Sequence, residues 1–369
     1  MKAARPPAAL ALALLAALPG ACKSGERPAD RPAEKKEEAP PPPEDAAAME
    51  VEREELSAEE LPPPPPVPRA PRGLPPTPSP PHNPTTPARV ELGRLLFFEP
   101  ALSAGRAMAC STCHQPEHGW ADPQPRSRVA SGQPNLRHTP SLWNAAYQRD
   151  WGWDGGMPTL EAHILSHWKG QMGGQPDQVA AALGSSRGYA ARFQRAFGAG
   201  GDPAAAEPSR ERIAEALAAF VRTLRSGDSP WDQREAGVTG AVSEDAIAGA
   251  RVFNERAGCA TCHLPPLYSD RGYHDRGVDQ SQLDPGRARI TADARDQGAF
   301  RTPTLRGLVY TAPYFHDGSA GTLEAAVDHE LVRSQVQLTA EERQQLLAFL
   351  RALSPEVRPA EAPELPRIP

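Results

Sequence analysis

The sequence lacks long apolar runs, strand-like patterns and any excess of positive charge. Beyond its first 21 residues no segment is apolar and long enough to cross a bilayer, which excludes a transmembrane body. Alternation of apolar and polar residues is nearly absent, so we expect an all-α fold. The net charge is −6 and residues 23–60 alone carry −7, so the rest of the chain is close to neutral. Nothing in that balance suggests a nucleic acid partner.

Cysteine is also scarce, with five among 369 residues. Four of them form two Cys-x-x-Cys-His frames: Cys110, Cys113 and His114 in the first, and Cys259, Cys262 and His263 in the second. This frame attaches a c-type haem, because two thiols add to the two vinyl groups of the porphyrin and the adjacent histidine binds the iron. Two copies predict two covalent haems, with the two histidines as proximal ligands.

Two other chemistries use paired cysteines. The four could form a zinc site built from two Cys-x-x-Cys knuckles, or a pair could be a thioredoxin-like redox centre. Neither explains a histidine placed identically after both pairs, so the sequence favours haem.

The fifth cysteine, Cys22, follows an export signal. Residues 1–21 combine a positively charged end with an apolar run too short to span a membrane, which is typical of a signal peptide. The small residues before Cys22 resemble a bacterial lipobox, although Pro19 stands where an aliphatic residue is usual. We expect a lipoprotein lipidated at Cys22 and held on the periplasmic side of a Gram-negative envelope. The alternative is ordinary secretion with a chance cysteine.

Residues 22–87 are predicted to be a disordered linker behind the lipidated cysteine. They are rich in proline and glutamate and nearly free of aromatic residues, so they bury too little apolar surface to offset their ordering entropy. We expect them to tether the body to a membrane. The remaining chain is long enough for two domains, and the haem frames divide it into residues 88–235 and 236–355, followed by a proline-rich tail at 356–369.

Each half has the outline of a cytochrome c domain, in which an opening helix precedes the haem frame and a closing helix crosses the opening one. The apolar spacing predicts the opening helices at 88–98 and 243–256, the closing helices at 209–224 and 339–353, and further helices at 159–168, 177–183 and 188–197. Thr339 and Glu342 predict a capping box at the start of the last helix.

Five stretches of the body resemble one known family. They are 92–103 (LGRLLFFEPALS), 138–144 (HTPSLWN), 153–156 (WDGG), 301–307 (RTPTLRG) and 311–319 (TAPYFHDGS). With these motifs the chain resembles the bacterial di-haem cytochrome c peroxidases and the related MauG-type enzymes over nearly all of its body. The resemblance implies two cytochrome c-like haem domains in tandem.

The resemblance also implies a division of work between the haems. The N-terminal haem, bound by His114, would be the peroxidatic site, and the C-terminal haem, bound by His263, would relay electrons to it. Trp153 matches the family tryptophan that lies between the haems. The alternative is that Trp153 only packs in the interior of the protein. The expected reaction is the reduction of hydrogen peroxide with electrons from a small cytochrome c or a cupredoxin. A homodimer is also consistent with the family.

The chain departs from the classical peroxidases at the first haem. Those enzymes carry a histidine before the Thr-Pro-Ser/Thr motif that caps the resting iron, whereas residues 129–133 (VASGQ) include none. We therefore expect an open iron, as in MauG-type enzymes. The classical distal glutamate, which precedes a methionine, is matched by Gln171. A glutamine can hold peroxide by hydrogen bonds but cannot carry its proton; without the resemblance, Gln171 would be an ordinary surface residue.

Two further departures concern metal ligands. The sixth ligand of the second haem, Met or Tyr in the family, is matched by Glu330, with His329 or an open iron as alternatives. An anionic oxygen ligand would lower the reduction potential relative to Met. Relatives hold calcium between the domains, and Thr311 and Pro313 match two carbonyl ligands, but His138 stands at the asparagine position. Imidazole is a poor calcium ligand, which argues against calcium here.

Two other functions stay open. The first is a MauG-like oxidase of protein or small-molecule substrates, which Gln171 and the absent capping histidine favour. The second is a non-catalytic di-haem electron carrier, which an open first iron argues against.

The remaining histidines of the body suggest no site by their spacing. We expect these four to lie at the surface or next to the haem ligands without binding an iron themselves: His118, His163, His167 and His274.

Overall fold

The structure, a computed structural model, describes residues 57–58, 60–198, 206–278, 283–357 and 359–369. The α-helices are α1 Pro87–Phe97, α2 Cys110–Cys113, α3 Leu160–Gly170, α4 Pro176–Ser185, α5 Arg187–Phe197, α6 Arg210–Val221, α7 Pro230–Glu235, α8 Glu244–Arg251, α9 Ala288–Thr291, α10 Leu323–Arg333 and α11 Ala340–Ala352. A π-helical turn, Val252–Arg256, continues α8. The signal peptide, Cys22 and the first part of the linker lie outside the described residues.

In the first half, α1 and α6 cross with their backbones in contact. A Cβ atom at Gly93 would lie 1.9 Å from the carbonyl oxygen of Ala216, so only glycine fits at the crossing. Next to it Phe97, Trp120 and Phe220 pack together, with ring centroids 5.3–5.9 Å apart. Burial of each such ring contributes ~1.5–3 kcal/mol, so this cluster fixes the first haem frame against the helix pair.

The second half repeats this crossing with α8 and α11. A Cβ atom at Gly249 would lie 1.8 Å from the carbonyl oxygen of Gln345. Phe349 of α11 packs on Phe253 at 5.0 Å and on Trp231 at 4.8 Å between ring centroids. Trp231 thus belongs to the second apolar cluster, although the predicted boundary after residue 235 assigned it to the first domain.

The helices predicted from apolar spacing are all present, with ends shifted by a few residues. The capping box of α11 is confirmed, because the Glu342 N–H donates to Thr339 Oγ1 at 3.1 Å and the Thr339 N–H donates to Glu342 Oε2 at 2.8 Å. Among the described residues the named strands are β1 (Tyr273–Asp275) and β2 (Ala299–Arg301), paired antiparallel. The body is therefore helix-rich with little sheet, as expected.

The structure corrects the length of the predicted linker. From about residue 60 to residue 86 the chain packs against the body. Asn83 is fully buried, donates to Glu161 Oε1 at 2.6 Å and accepts from Arg89 Nη1 at 2.9 Å. The carbonyl of Gly73 accepts from Arg306. Proline-rich chain can pack this way because its carbonyls are free to accept hydrogen bonds from arginine and tyrosine side chains of the body.

The C-terminal tail also packs on the body. Arg94 of α1 donates to the carbonyl of Glu361 at 2.7 Å, and Ser186 donates to the carbonyl of Arg367 at 2.6 Å. Leu365 and Ile368 pack against the apolar cluster of the first half. The tail therefore joins the second half back to the first. Over the described part of the chain, no helix combines the length and apolar character that a membrane crossing requires.

Candidate haem and electron-transfer site

Each Cys-x-x-Cys-His frame holds its histidine in the same way. The Nδ1 atom of His114 lies 2.9 Å from the carbonyl oxygen of Trp120, and the Nδ1 atom of His263 lies 2.8 Å from the carbonyl oxygen of Tyr268. Because a carbonyl only accepts, Nδ1 carries the proton in both rings and Nε2 keeps its lone pair. That tautomer and orientation are the ones an iron ligand requires.

The backbone that supplies these carbonyls is strained. Trp120 has φ 61° and Tyr268 has φ 52°, in the left-handed region that costs a non-glycine residue about 1–3 kcal/mol. In each half a hydroxyl of the Thr-Pro-Ser/Thr motif, Ser141 or Thr304, donates at 2.6 Å to the carbonyl just before the strained residue. The motif thus stabilises the turn that orients the histidine.

Burial keeps both imidazoles neutral. It lowers the pKa of His114 to about 4, against the opposing effect of the hydrogen bond to Trp120, and it also lowers the pKa of His263. A neutral ring is the form that binds a metal. Burial raises the pKa of Cys110 to about 12 and that of Cys259 to about 11. Burial thus favours the protonated form of both thiols.

The structure separates the two cysteine pairs. Cys110 and Cys113 pack against the apolar cluster of the first half, and Cys259 packs against that of the second. Among the described residues, no group of potential ligands close enough to share a metal ion contains both pairs, and all four thiols are free. A shared four-cysteine zinc site is therefore excluded for this arrangement. The two frames fit two separate covalent haems.

Trp153 lies at the junction of the two halves. Its indole N–H donates to the carbonyl of His138 in the first half at 2.8 Å, and its own carbonyl accepts from the backbone N–H of Arg301 in the second half at 2.8 Å. Its ring contacts His316 edge-on at 6.5 Å between centroids. Both halves thus hold Trp153, the first through its indole and the second through its backbone.

Buried charges join the halves around Trp153. Arg137 donates to Asp154 at 2.8 Å in its own half and to both oxygens of Asp284 at 2.6 and 2.8 Å in the other. Burial alone would raise the pKa of Asp154, but the bonds from Arg289 and Arg137 lower it. Removal of one partner from such a buried pair costs ~3–5 kcal/mol, so the junction resists separation.

Gln171 and the loop 129–133 lie together. Gln171 follows α3 directly, and its carbonyl accepts from the Ala130 N–H at 2.7 Å. Within the loop, the Val129 N–H donates to Gln133 at 2.9 Å and the Gly132 N–H donates to Val129 at 2.8 Å. The loop is therefore a closed turn set against Gln171, and it brings no metal-binding side chain there.

His163 and His167 of α3 are the residues that the sequence analysis missed. Their ring centroids are 3.9 Å apart, and burial lowers the pKa of both. The charges of His163 and His167 interact with that of His114. Of the two expected positions, the surface is wrong for these two residues, because burial and their interaction with His114 place both rings close to the first haem frame. The signal that could have found them is their spacing of four on a helix that ends at Gln171.

Glu330 of α10 lies close to the second frame. It interacts electrostatically with Cys259 and His263. Its carboxylate also accepts from Arg276, with Nε at 2.8 Å and a guanidinium nitrogen at 2.6 Å from Oε2. The neighbouring His329 has its Nε2 atom 2.9 Å from the carbonyl of Arg276 and its ring against Phe315. Arg276 therefore contacts both of the residues considered as a sixth ligand.

His138, at the calcium-ligand position of relatives, is buried between the halves. Its Nδ1 atom lies 3.1 Å from the Gln124 carbonyl, so the ring donates there.

Comparison with known proteins identifies the family. Residues 87–239 match the family model described as di-haem cytochrome c peroxidase. The chain is 36% identical over 305 residues to the methylamine utilization protein MauG of Methylorubrum extorquens, which covers 78% of this chain and 84% of that protein. The chain belongs to the di-haem cytochrome c peroxidase family.

Other family members support the same assignment. The cytochrome c551 peroxidase of Pseudomonas aeruginosa is 32% identical over 287 residues, 75% of this chain and 81% of that protein. The crystal structure of a MauG-like protein associated with microbial copper homeostasis matches with a TM-score of 0.71 and 28% identity, over 78% of this chain and 95% of that one. The protein is thus an oxidoreductase of the cytochrome c peroxidase type, and its family carries two c-type haems.

The haem content gives the first prediction. Intact mass spectrometry of the exported protein should show two haem additions, because both frames present free thiols and an oriented histidine. Cys110→Ala with Cys113→Ala should remove one haem, and Cys259→Ala with Cys262→Ala should remove the other. A colourless protein that retains zinc would contradict the assignment.

Proposed function

We propose that the protein reduces hydrogen peroxide at its N-terminal haem, with electrons relayed through its C-terminal haem from a small cytochrome c or a cupredoxin. The observation that carries this proposal is the closed turn at residues 129–133. It packs on Gln171 and offers no side chain that could cap an iron. A di-haem protein that served only as an electron carrier would need both irons closed.

The protein's own groups would prepare the peroxide for reaction. His114 would hold the first haem and His263 the second; when bound, the first haem supplies the iron at which the O–O bond breaks. Gln171 would position peroxide through its side-chain amide. Gln171 cannot exchange a proton, so another group must move the proton of the peroxide.

Trp153 would shorten the electron path between the halves. The proposal is supported by the two hydrogen bonds that hold Trp153, one from its indole to the carbonyl of His138 and one from the Arg301 N–H to its backbone carbonyl. An aromatic ring fixed in this way keeps a constant distance to both haems. The proposal also includes export and lipidation at Cys22, which would keep the body on the periplasmic side of a membrane.

A MauG-like oxidation of a protein or small-molecule substrate is the second candidate. Gln171 in place of glutamate and the identity to MauG favour it. The two candidates differ in where the electrons originate: a peroxidase would consume a reduced carrier protein, whereas a MauG-like enzyme would take electrons from its substrate at the surface.

The state of the first iron tests the proposed function. The fully ferric, haem-loaded protein should give a high-spin EPR signal from the first haem and should react with hydrogen peroxide without prior reduction, because residues 129–133 provide no cap. Two low-spin haems that stay inert to peroxide until reduced would overturn the open-site mechanism.

The relay gives a separate prediction. Trp153→Phe should slow electron delivery from the second haem to the first, while peroxide binding to the ferric protein stays unchanged. Stopped-flow absorbance can follow both steps. Trp151→Phe is the matched control, since this neighbouring tryptophan lacks the two bonds that join the halves. Equal slowing in both variants would show that the relay is not specific to Trp153.

For the second haem we propose Glu330 as the sixth ligand, in competition with its ion pair to Arg276. Glu330→Met should raise the reduction potential of this haem, because a thioether favours ferrous iron more than a carboxylate does. Spectroelectrochemistry measures the shift. Glu324→Met on the same helix is the control, since Glu324 pairs with Arg351 near the surface. An unchanged spectrum in Glu330→Ala would exclude Glu330 as a ligand.

A further inference from the structure

Two imidazoles near His114 have a role that the family motifs leave unassigned. His163 and His167 lie one turn apart on α3, their rings 3.9 Å apart at an interplanar angle of 50°. The charges of His163 and His167 interact with that of His114. The pair therefore lies within electrostatic range of the ring that would bind the first iron.

The hydrogen bonds of His167 fix its tautomer. Its Nδ1 atom lies 2.9 Å from the carbonyl oxygen of His163, one turn earlier on the helix. A carbonyl only accepts, so Nδ1 carries the proton and Nε2 is a free base in the neutral ring. Burial lowers the pKa of His167, against the opposing effect of this hydrogen bond, so the ring is neutral at neutral pH and Nε2 can accept a proton.

His167 is also directly connected to Gln171. The backbone N–H of Gln171 donates to the His167 carbonyl at 2.8 Å, and the Met172 N–H approaches the same carbonyl at 3.3 Å. The base and the amide that would position peroxide are therefore adjacent on one helix end. This arrangement places a titratable ring next to a glutamine that cannot titrate.

His163 is the ring of the pair that lies beside the junction of the two halves. Its Nδ1 atom is buried and has no hydrogen-bond partner among the described residues. Its ring lies beside Gly152, where a Cβ atom would be 3.7 Å from its Cε1 atom, and Gly152 precedes Trp153. A buried polar nitrogen without a partner is suited to a bound molecule or to a proton passed from the neighbouring ring.

We propose that His167 is the proton carrier of peroxide cleavage, with His163 as the adjacent ring that packs against it. This inference rests on the proposed function. His167 Nε2 would take the proton from the oxygen of hydrogen peroxide nearer the first haem and pass it to the farther oxygen, which leaves as water with both electrons of the O–O bond. The remaining oxygen atom leaves as a second water after two electrons from the carrier protein and two protons from solvent. The sum is one peroxide, two electrons and two protons to two waters.

Ligand-binding kinetics test this role without turnover. Hydrogen cyanide must lose its proton to bind ferric haem, whereas carbon monoxide binds ferrous haem without proton transfer. In the haem-loaded protein, His167→Gln should slow cyanide binding and peroxide consumption, the latter by ~10²–10⁴-fold as for other positioned acid–base groups. Carbon monoxide binding, haem content and the ferric EPR spectrum should not change.

Two further variants show whether the effect is specific to His167. His163→Gln should slow both proton-dependent reactions less than His167→Gln, because its neighbour remains. His82→Gln, at an exposed position before α1, should leave all rates unchanged.

Cyanide and peroxide rates within twofold of the unmodified protein in both pocket variants would overturn the proposal. It would also be overturned if either variant converted a low-spin first haem to high-spin, since that histidine would then be an iron ligand. If the unmodified protein consumed no peroxide but His167→Gln still slowed cyanide binding, the assignment of the base would stand and the proposed function would fail.

Discussion

The hydrogen bond from each haem histidine to a backbone carbonyl is the constraint on which this structure depends. His114 and His263 can present Nε2 to an iron only if Nδ1 is satisfied, and the carbonyls of Trp120 and Tyr268 satisfy it. Those carbonyls point correctly because the backbone takes positive φ at a bulky aromatic residue. Burial of the rings and the hydroxyls of the Thr-Pro-Ser/Thr motifs offset that strain.

The two halves are tied together by polar groups as well as by the apolar contacts that Tyr310 and the C-terminal tail make with the cluster of the first half. Their apolar clusters are separate, and each surrounds its own helix crossing. Between them lie Trp153, held from both sides, and the ion pairs of Arg137 with Asp154 and Asp284. Directional bonds of this kind fix the position of Trp153 more closely than apolar contacts do.

Much of the fold was predictable because its signals are local. The haem frames, the helix periodicity and the capping box of Thr339 each depend on residues a few positions apart. The linker was only partly predictable. Its composition predicts disorder, but Asn83 is buried by contacts with Glu161 and Glu215, which lie far along the chain. Composition indicates how much apolar surface a segment can bury on its own. It does not show which hydrogen bonds and contacts a distant segment will make with it.

The sequence by itself determined the two haem attachment sites, the helical class and the family, since covalent spacing and helical periodicity are properties of neighbouring residues. Only the tertiary structure decided that Trp153 joins the two halves and that Glu330 pairs with Arg276. It also decided that the rings of His163 and His167 are buried near His114. The face that a helix buries depends on the element packed against it, here α6 on α3, and that partner is distant in sequence.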